Sequence, residues 1–401
     1  MKIPKIASIL SFLIILSSCN ETKPKNNIDS IDQQIETVEK QFILLLEGAE
    51  KENRIPRTTS KNGNIHWTNE SFDWTEGFFP GSSWYLFELT KNKKWKKAAE
   101  KFQKKHEEHK NLTISHDLGF IFNCSYGNGY RLTQNQQFKD VMITAGNSLI
   151  SRFDTNVGCI KSWDITKGWP KFAQAWDYPV IIDNMMNLEL LFELSILTGD
   201  SKYEKIAIAH ANTTLKNHFR EDFSSYHVID YDAKTGAVRN KHTAQGYAHE
   251  SAWARGQAWG LYGYTMCYRY TKDEKYLKQA QSIANYIINH EVTPTDGIPY
   301  WDYNATNIPN EFRDVSAAAI TASALLELDN YTSDNYLKAA EKILSSLATD
   351  KYTAKVGQNN NFVLKHSVGS IPHGKEIDVP INYADYYYLE ALVRYKQSIK
   401  K

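Results

Sequence analysis

The sequence predicts an all-α protein, an (α/α)6 toroid of six helical hairpins forming one domain over residues 31–401. Two observations lead there. A short motif recurs five times, as Leu89-Thr90-Lys91-Asn92, Leu132-Thr133-Gln134-Asn135, Leu197-Thr198-Gly199-Asp200, Tyr270-Thr271-Lys272-Asp273 and Tyr331-Thr332-Ser333-Asp334. The segment before each copy is apolar, whereas Lys- and Ala-rich amphipathic stretches come after. An apolar helix end, a tight turn and an Asn or Asp that caps a new helix account for this pattern.

The elements follow in order. Residues 31–49 are amphipathic and open the domain as an outer helix. Residues 77–89 form the first apolar inner helix. Trp95 then starts an outer helix over 96–104. Residues 117–132 are the second inner helix, and Phe138 opens the outer helix behind it. Residues 183–197 are inner, and Tyr203 leads an outer helix over 204–211. Residues 254–270 are inner, and Tyr276 leads 277–284. Residues 314–328 are inner, and Tyr336 leads 337–344. Residues 383–395 supply the sixth inner helix. The copies are irregularly spaced, so long insertions gather at one rim, and a tight solenoid is excluded. An open helical array needs polar capping repeats at its ends, and none is visible.

Residues 1–19 precede the domain. Lys2 and Lys5 give a positive start, residues 6–16 are apolar but too short to span a bilayer, and the run closes on Leu16-Ser17-Ser18-Cys19. This is the pattern of a lipoprotein signal peptide with lipidation at Cys19. It predicts export and a lipid anchor on a bacterial membrane, in the periplasm or at the outer membrane. Residues 20–30 are polar and predict a flexible tether.

Composition excludes several classes. Lys plus Arg total 47 against 46 Asp plus Glu, a net charge of +1 without a basic excess, which argues against nucleic acid. Past Cys19 only Cys124, Cys159 and Cys267 remain, with no C-x-x-C, so buried free thiols are expected rather than disulfides. No H-E-x-x-H, P-loop, dinucleotide fingerprint or Gly-x-Ser-x-Gly occurs, so the sequence implies no metal, no cofactor and no nucleophilic serine. Aromatic residues make up 13%, which leans towards sugar stacking.

The insertions place the starts of the inner helices on one rim around a central cavity, where helix N-termini favour an anionic ligand. Asp117 (in His116-Asp117-Leu118-Gly119-Phe120) and Asp183 (before Asn184-Met185-Met186-Asn187) each begin an inner helix. Either alone is an ordinary helix cap. Two together in aromatic loops match paired carboxylates for acid/base work on sugars. A second cluster holds His227, Thr243, Gln245 and Trp253-Ala254-Arg255-Gly256-Gln257-Ala258-Trp259. The four-residue spacing of Arg255 and Trp259 puts them on one helix face, fit to grip a carboxylate and stack on a sugar, or else to pack as a core pair. A third, Ser367 to Lys375 with Ser370 between, offers hydroxyls and a cation to an anionic substituent, or is a solvated loop.

His116-Asp117-Leu118-Gly119-Phe120, Asp183-Asn184-Met185-Met186-Asn187, Arg255-Gly256-Gln257-Ala258-Trp259 and Tyr383-Ala384-Asp385-Tyr386-Tyr387 together resemble the unsaturated glucuronyl hydrolases of glycoside hydrolase family 88. The resemblance runs from Trp74 to Leu392. It implies removal of a 4,5-unsaturated uronic acid from lyase-generated glycosaminoglycan or ulvan oligosaccharides, with or without sulfate, by hydration of the C4=C5 bond. It implies Asp183 as general acid/base and Asp117 as its essential partner. Trp74, His227, Thr243, Gln245, Arg255 and Trp259 then match substrate contacts, with Ser367, Ser370 and Lys375 in a loop that reads sulfate in some members. Ala244 stands where the resemblance leads one to expect His, and Lys375 lies further from Ser370 than in a typical sulfate reader. The competing readings are the rhamnogalacturonyl version of the reaction and a non-catalytic glycan-binding lipoprotein.

Overall fold

The computed structural model describes Met1 and residues 27–399, except 61, 69–70, 166–170 and 172. The rest of the stretch read as a signal peptide, with Cys19 and residues 20–26, lies outside the described residues. Among the described residues, twelve helical layers alternate outer and inner. They run α1 (Asn27–Glu52), α2 (Phe78–Thr90), α3 (Lys93–Gln103), α4 (Leu118–Phe122) continued as α5 (Asn128–Thr133), α6 (Gln136–Ile150), α7 (Asn184–Thr198), α8 (Lys202–Asn217), α9 (Ala254–Thr271), α10 (Glu274–Asn289), α11 (Val315–Leu328), α12 (Tyr336–Leu347) and α13 (Asn382–Ser398). The predicted toroid is therefore present. One boundary differs, since α1 begins at Asn27, inside the stretch read as tether. Ile28, Ile31, Ile35 and Val38 already follow helical spacing there.

The recurring motif has one physical basis. Thr90 Oγ back-bonds to the Leu86 carbonyl (2.7 Å) and accepts from Asn92 N–H (3.2 Å), while Asn92 Oδ1 accepts from Lys94 N–H (3.0 Å). Thr133, Thr198 and Thr271 repeat the same bonds with Asn135, Asp200 and Asp273. The spacer turns left-handed, at φ 60° for Lys91, 58° for Gln134 and 55° for Lys272. The aromatic residue that follows then ties its helix to the preceding outer helix. Trp95 Nε1–H donates to Glu39, Tyr203 O–H to Asn147 and Tyr276 O–H to Asn212. The fifth copy departs from this pattern, with Asn335 capping α12 instead of Asp334. The second inner helix is also less regular than expected, because a π-helical turn (Asn123–Gly127) separates α4 from α5.

The toroid's axis is filled. Phe78, Phe120, Trp259, Tyr383, Tyr386 and Tyr387 interlock largely edge-to-face, with Phe120 to Trp259 centroids at 5.1 Å and Trp259 to Tyr387 at 5.4 Å. This aromatic floor has a cavity on each side. At the C-terminal ends of the inner helices lies one of about 580 Å³, whose charges are mutually engaged: Arg269 with Glu327 (2.7 Å) and Glu189 (2.8 Å), and Arg394 with Glu327 (3.0 Å). At the N-terminal ends lies one of about 280 Å³.

The long insertions form that N-terminal rim. Among the described residues they carry four small antiparallel sheets: β1 (Pro56–Thr59) with β2 (Ile65–Trp67), β3 (Phe153–Asp154) with β4 (Cys159–Ile160), β5 (Tyr178–Ile181) with β6 (Val228–Tyr231) and β7 (Val238–His242), and the hairpin of β8 (Ser367–Ser370) and β9 (Lys375–Val379). Cys124, Cys159 and Cys267 are buried free thiols.

Candidate active site

Asp117 and Asp183 stand at the N-termini of α4 and α7, and both line the 280 Å³ cavity. Neither side chain caps its helix. Elsewhere the fold does use Asp caps, as where Asp314 Oδ1 accepts from Ser316 N–H (3.0 Å). The two helices meet closely because Gly119 has no side chain. A Cβ there would lie 2.3 Å from the Asn187 Cα, and Asn187 Oδ1 accepts from Phe120 N–H (2.8 Å).

Each carboxylate faces a buried histidine. His227 Nε2 is 3.6 Å from Asp183 Oδ2, and His116 Nε2 is 3.4 Å from Asp117 Oδ1. His227 Nδ1 accepts from the N–H groups of Ala244 (3.0 Å) and Gln245 (3.1 Å). That fixes the tautomer, with the proton on Nε2 directed at Asp183. Burial holds both imidazoles below their usual pKa, so each stays neutral. Asp117 also accepts from Ser115 O–H (2.6 Å).

Burial pushes the Asp183 pKa up to about 7, and the Asp117 charge adds to it. The Arg255 guanidinium, the backbone N–H and the Trp259 indole work against the rise. Asp183 Oδ2 has no hydrogen-bond partner among the described residues. The result is a carboxyl that holds a proton near neutrality beside one with a strong hydroxyl donor. Such a pair can deliver a proton to a bound molecule and take one back from water.

The remaining residues singled out from the sequence divide into two groups. Trp74, Gln245, Ser370 and Lys375 line the cavity with the two aspartates. His227, Thr243, Arg255, Trp259 and Ser367 stand behind its wall. Thr243 Oγ1 lies 3.3 Å from His227 Nδ1 and accepts from Gly246 N–H (2.7 Å). Ser367 is buried in β8.

Two expectations are corrected by the geometry. Arg255 is only 1% exposed and does not grip a ligand from the wall. Its guanidinium pairs with Asp314 (3.0 Å) and donates to the carbonyls of Val368 and Gly369 (2.7 Å to Gly369). It thus clamps the β8–β9 hairpin onto α11. Trp259 is fully buried in the aromatic floor and offers no face for stacking on a sugar. The four-residue spacing does put both on one face of α9, but residues 254–267 are buried all round, so that face meets protein.

Sequence reasoning missed Arg57, Trp163, His373, Glu376 and Tyr383 as lining residues. Arg57 bonds Glu376 (2.6 Å) and Asp73 (2.8 Å). Gly369 permits this, since a Cβ there would sit 2.3 Å from Glu376 Oε2. Glu376 and Asp378 hold left-handed φ values of 54° and 55°, strain of the kind that collects at ligand sites. His373 and Tyr383 sat inside segments the sequence already singled out, whereas Arg57 and Glu376 carry no local signal.

Residues 49–397 match the family described as Glycosyl Hydrolase Family 88. The chain is 44% identical over 394 residues to an unsaturated glucuronyl hydrolase of Formosa agariphila, covering 98% of this chain and 97% of that one. It is 32% identical over 374 residues to an unsaturated chondroitin disaccharide hydrolase of Streptococcus agalactiae, covering 91% of each. A crystal structure of an unsaturated glucuronyl hydrolase specific for heparin superposes with a TM-score of 0.88 at 44% identity, covering 93% of this chain and 98% of that chain.

Proposed function

This chain belongs to glycosyl hydrolase family 88, and on that premise we propose that it removes the 4,5-unsaturated uronic acid from the non-reducing end of lyase-generated oligosaccharides. The observation that carries this reading is Asp183: buried, uncommitted to its helix, and protonated up to about pH 7. The substrate's C4=C5 bond is a vinyl ether through the ring oxygen, so one proton donor and one water suffice. Asp183 delivers its proton to C4, leaving an oxocarbenium ion at C5. Water adds to C5 and gives a proton back to the carboxylate. The hemiketal opens to a C5 ketone, the anomeric carbon becomes a hemiacetal, and the neighbouring sugar leaves as its alcohol.

The chain's residues divide this work. Asp117 raises the proton affinity of Asp183 and orients water. His227 stands behind Asp183 at 3.6 Å, as a neutral neighbour rather than a hydrogen-bond partner. The Trp74 ring offers a face to the unsaturated sugar, and Gln245 offers it an amide. Ser370 and Lys375, on the hairpin, face the neighbouring sugar and any sulfate on it. Arg255 acts from behind the wall by fixing the hairpin.

A panel of unsaturated disaccharides of chondroitin, hyaluronan, heparin and ulvan type tests the reading, followed through the ultraviolet absorbance of the double bond. Loss of absorbance is expected, and its rank order identifies the neighbouring sugar. A folded protein that consumes none of them refutes the proposal. The segment ending in Cys19 adds a second proposal, that the protein is exported and lipid-anchored. The full chain then partitions into detergent while Cys19→Ala stays in the aqueous phase.

A further inference from the structure

The charge of this chain is unevenly placed. Residues 91–105 span the turn before α3, α3 itself and the start of the turn that follows, and they hold eight lysines against one acid, Glu100. The whole chain is +1, so the remainder is acidic. The other outer helices do not share the excess: α6 is neutral, α8, α10 and α12 exceed neutrality by two, one and one, and α1 is acidic. One side of α3 is used for packing, with Trp95, Ala98, Ala99 and Phe102 buried. The lysines therefore share its outward side. Lys91, Lys93, Lys94, Lys97, Lys104 and Lys105 are exposed and have no acidic partner among the described residues. Lys96 and Lys101 reach Glu100 and Glu50 only at 3.8 and 3.9 Å. Like charges crowded on one face repel, and a surface of opposite charge relieves this.

The same side of the domain is where the chain enters it. α1 begins at Asn27, and Asp32 pairs with Lys396 (2.7 Å) near the end of α13, at the end of the toroid opposite the N-terminal rim. Further along α1, Glu39 accepts from the Trp95 indole, and Phe42 meets the Trp95 ring edge-on (6.0 Å). Glu39 lies about 18 Å along the helix from Asn27, so the lysines begin there. Residues 20–26 separate Cys19 from Asn27 and can span at most about 25 Å. A lipid on Cys19 therefore keeps α3 within reach of the bilayer surface.

We propose that the lysine face of α3 docks on the anionic lipid headgroups of the membrane that carries the anchor, so that the domain lies on its α1–α3 side. This rests on the proposed lipid anchor at Cys19. The short connection to that anchor favours a lipid surface over a soluble polyanion, because it holds the surface beside these lysines. Each lysine near such a surface adds an attraction that salt screens. None of them lines the cavity that holds Asp117 and Asp183, so turnover does not depend on docking.

Vesicle cosedimentation tests this. The mature chain from Cys19, made without its leader and hence unlipidated, separates the face from the anchor. It should bind phosphatidylcholine vesicles containing about 30% phosphatidylglycerol at low salt, ignore pure phosphatidylcholine, and come off in about 0.5 M sodium chloride. The triple change Lys91→Glu, Lys94→Glu and Lys97→Glu should weaken binding about 10- to 100-fold, with the melting temperature and the double-bond assay unchanged. The same charge change on other outer helices, Lys205→Glu, Lys278→Glu and Lys338→Glu, should weaken it less than about threefold, because those lysines lie away from the docked face. Equal losses in the two triples would mean that net charge alone attracts the protein. A wild type that ignores the vesicles, whether or not immobilised heparin retains it, would mean that the face does not meet lipid. Either result overturns the proposal. Detergent partition of the full chain against Cys19→Ala reads the anchor separately, so a failure of the anchor and a failure of the face are told apart.

Discussion

Replacing Asp183 by asparagine separates chemistry from stability, because the structure assigns the residue opposite effects on each. The carboxyl moves from an ordinary value of 3.8 to about 7, chiefly through burial. At 1.36 kcal/mol per tenfold change, its charged form costs the folded state about 4 kcal/mol. The sign follows from proton binding. Below pH 3.8 both folded and unfolded states hold the proton, and no cost appears. Between 3.8 and about 7 the unfolded chain releases it while the folded protein keeps it, so stability falls as pH rises. Above 7 the loss is complete. Asparagine is neutral throughout and escapes it. Its advantage over the wild type should therefore be near zero at pH 4, grow to pH 7 and then level off. For a domain of this size 4 kcal/mol amounts to about 5 °C in melting temperature. Calorimetry at stepped pH measures this, and the double-bond assay measures the other side. There the variant should lose a factor of 10² to 10⁴ in kcat, as expected for removal of a general acid. The wild-type rate should fall above about pH 7. A stability difference that ignores pH, or a variant retaining a tenth of the activity, would refute the assignment.

Three further outcomes follow from the same geometry. His227→Phe leaves the N–H groups of Ala244 and Gln245 without their acceptor, so urea unfolding should show a loss of about 1–3 kcal/mol per group, and a variant as stable as the wild type contradicts an Nδ1 acceptor. Gly119→Ala puts a Cβ 2.3 Å from Asn187 Cα. It should cost about 1–3 kcal/mol and lower activity as well, since α4 and α7 carry the two aspartates; unchanged kinetics would show that their spacing tolerates more than the contact implies. Arg255→Met strands the buried Asp314 charge and should cost about 3–5 kcal/mol. Adding Asp314→Asn should restore most of it, and failure to do so in denaturant titrations would mean the pair is not the clamp.

What the sequence made visible was local. The Thr and Asn or Asp of each turn bond within four residues of one another, so the helical hairpins and their order could be read directly. Asp117 and Asp183 were legible for the same reason, standing where apolar helices begin. The missing pieces depend on distant partners. Arg255 invites a functional reading until Asp314, 59 residues away, is found to neutralise it. Arg57 reaches Glu376 across 319 residues. The π-helical turn after Phe122 interrupts a stretch whose apolar character is continuous, so hydrophobicity could not reveal it. The small strands of the rim are two to five residues long, too short for an alternation to declare itself.

The aromatic floor beneath Asp183 has a consequence for how a polysaccharide fragment is consumed. Among the described residues, Phe120, Trp259, Tyr386 and Tyr387 pack across the toroid's axis and leave no passage along it from this cavity to the far side. A chain cannot thread through. Only its tip can enter, and everything beyond the first bond stays outside. The architecture thus enforces clipping from the end, one residue per visit. The freed sugar must back out before the next tip can dock, so emptying the cul-de-sac is an obligatory step of every cycle.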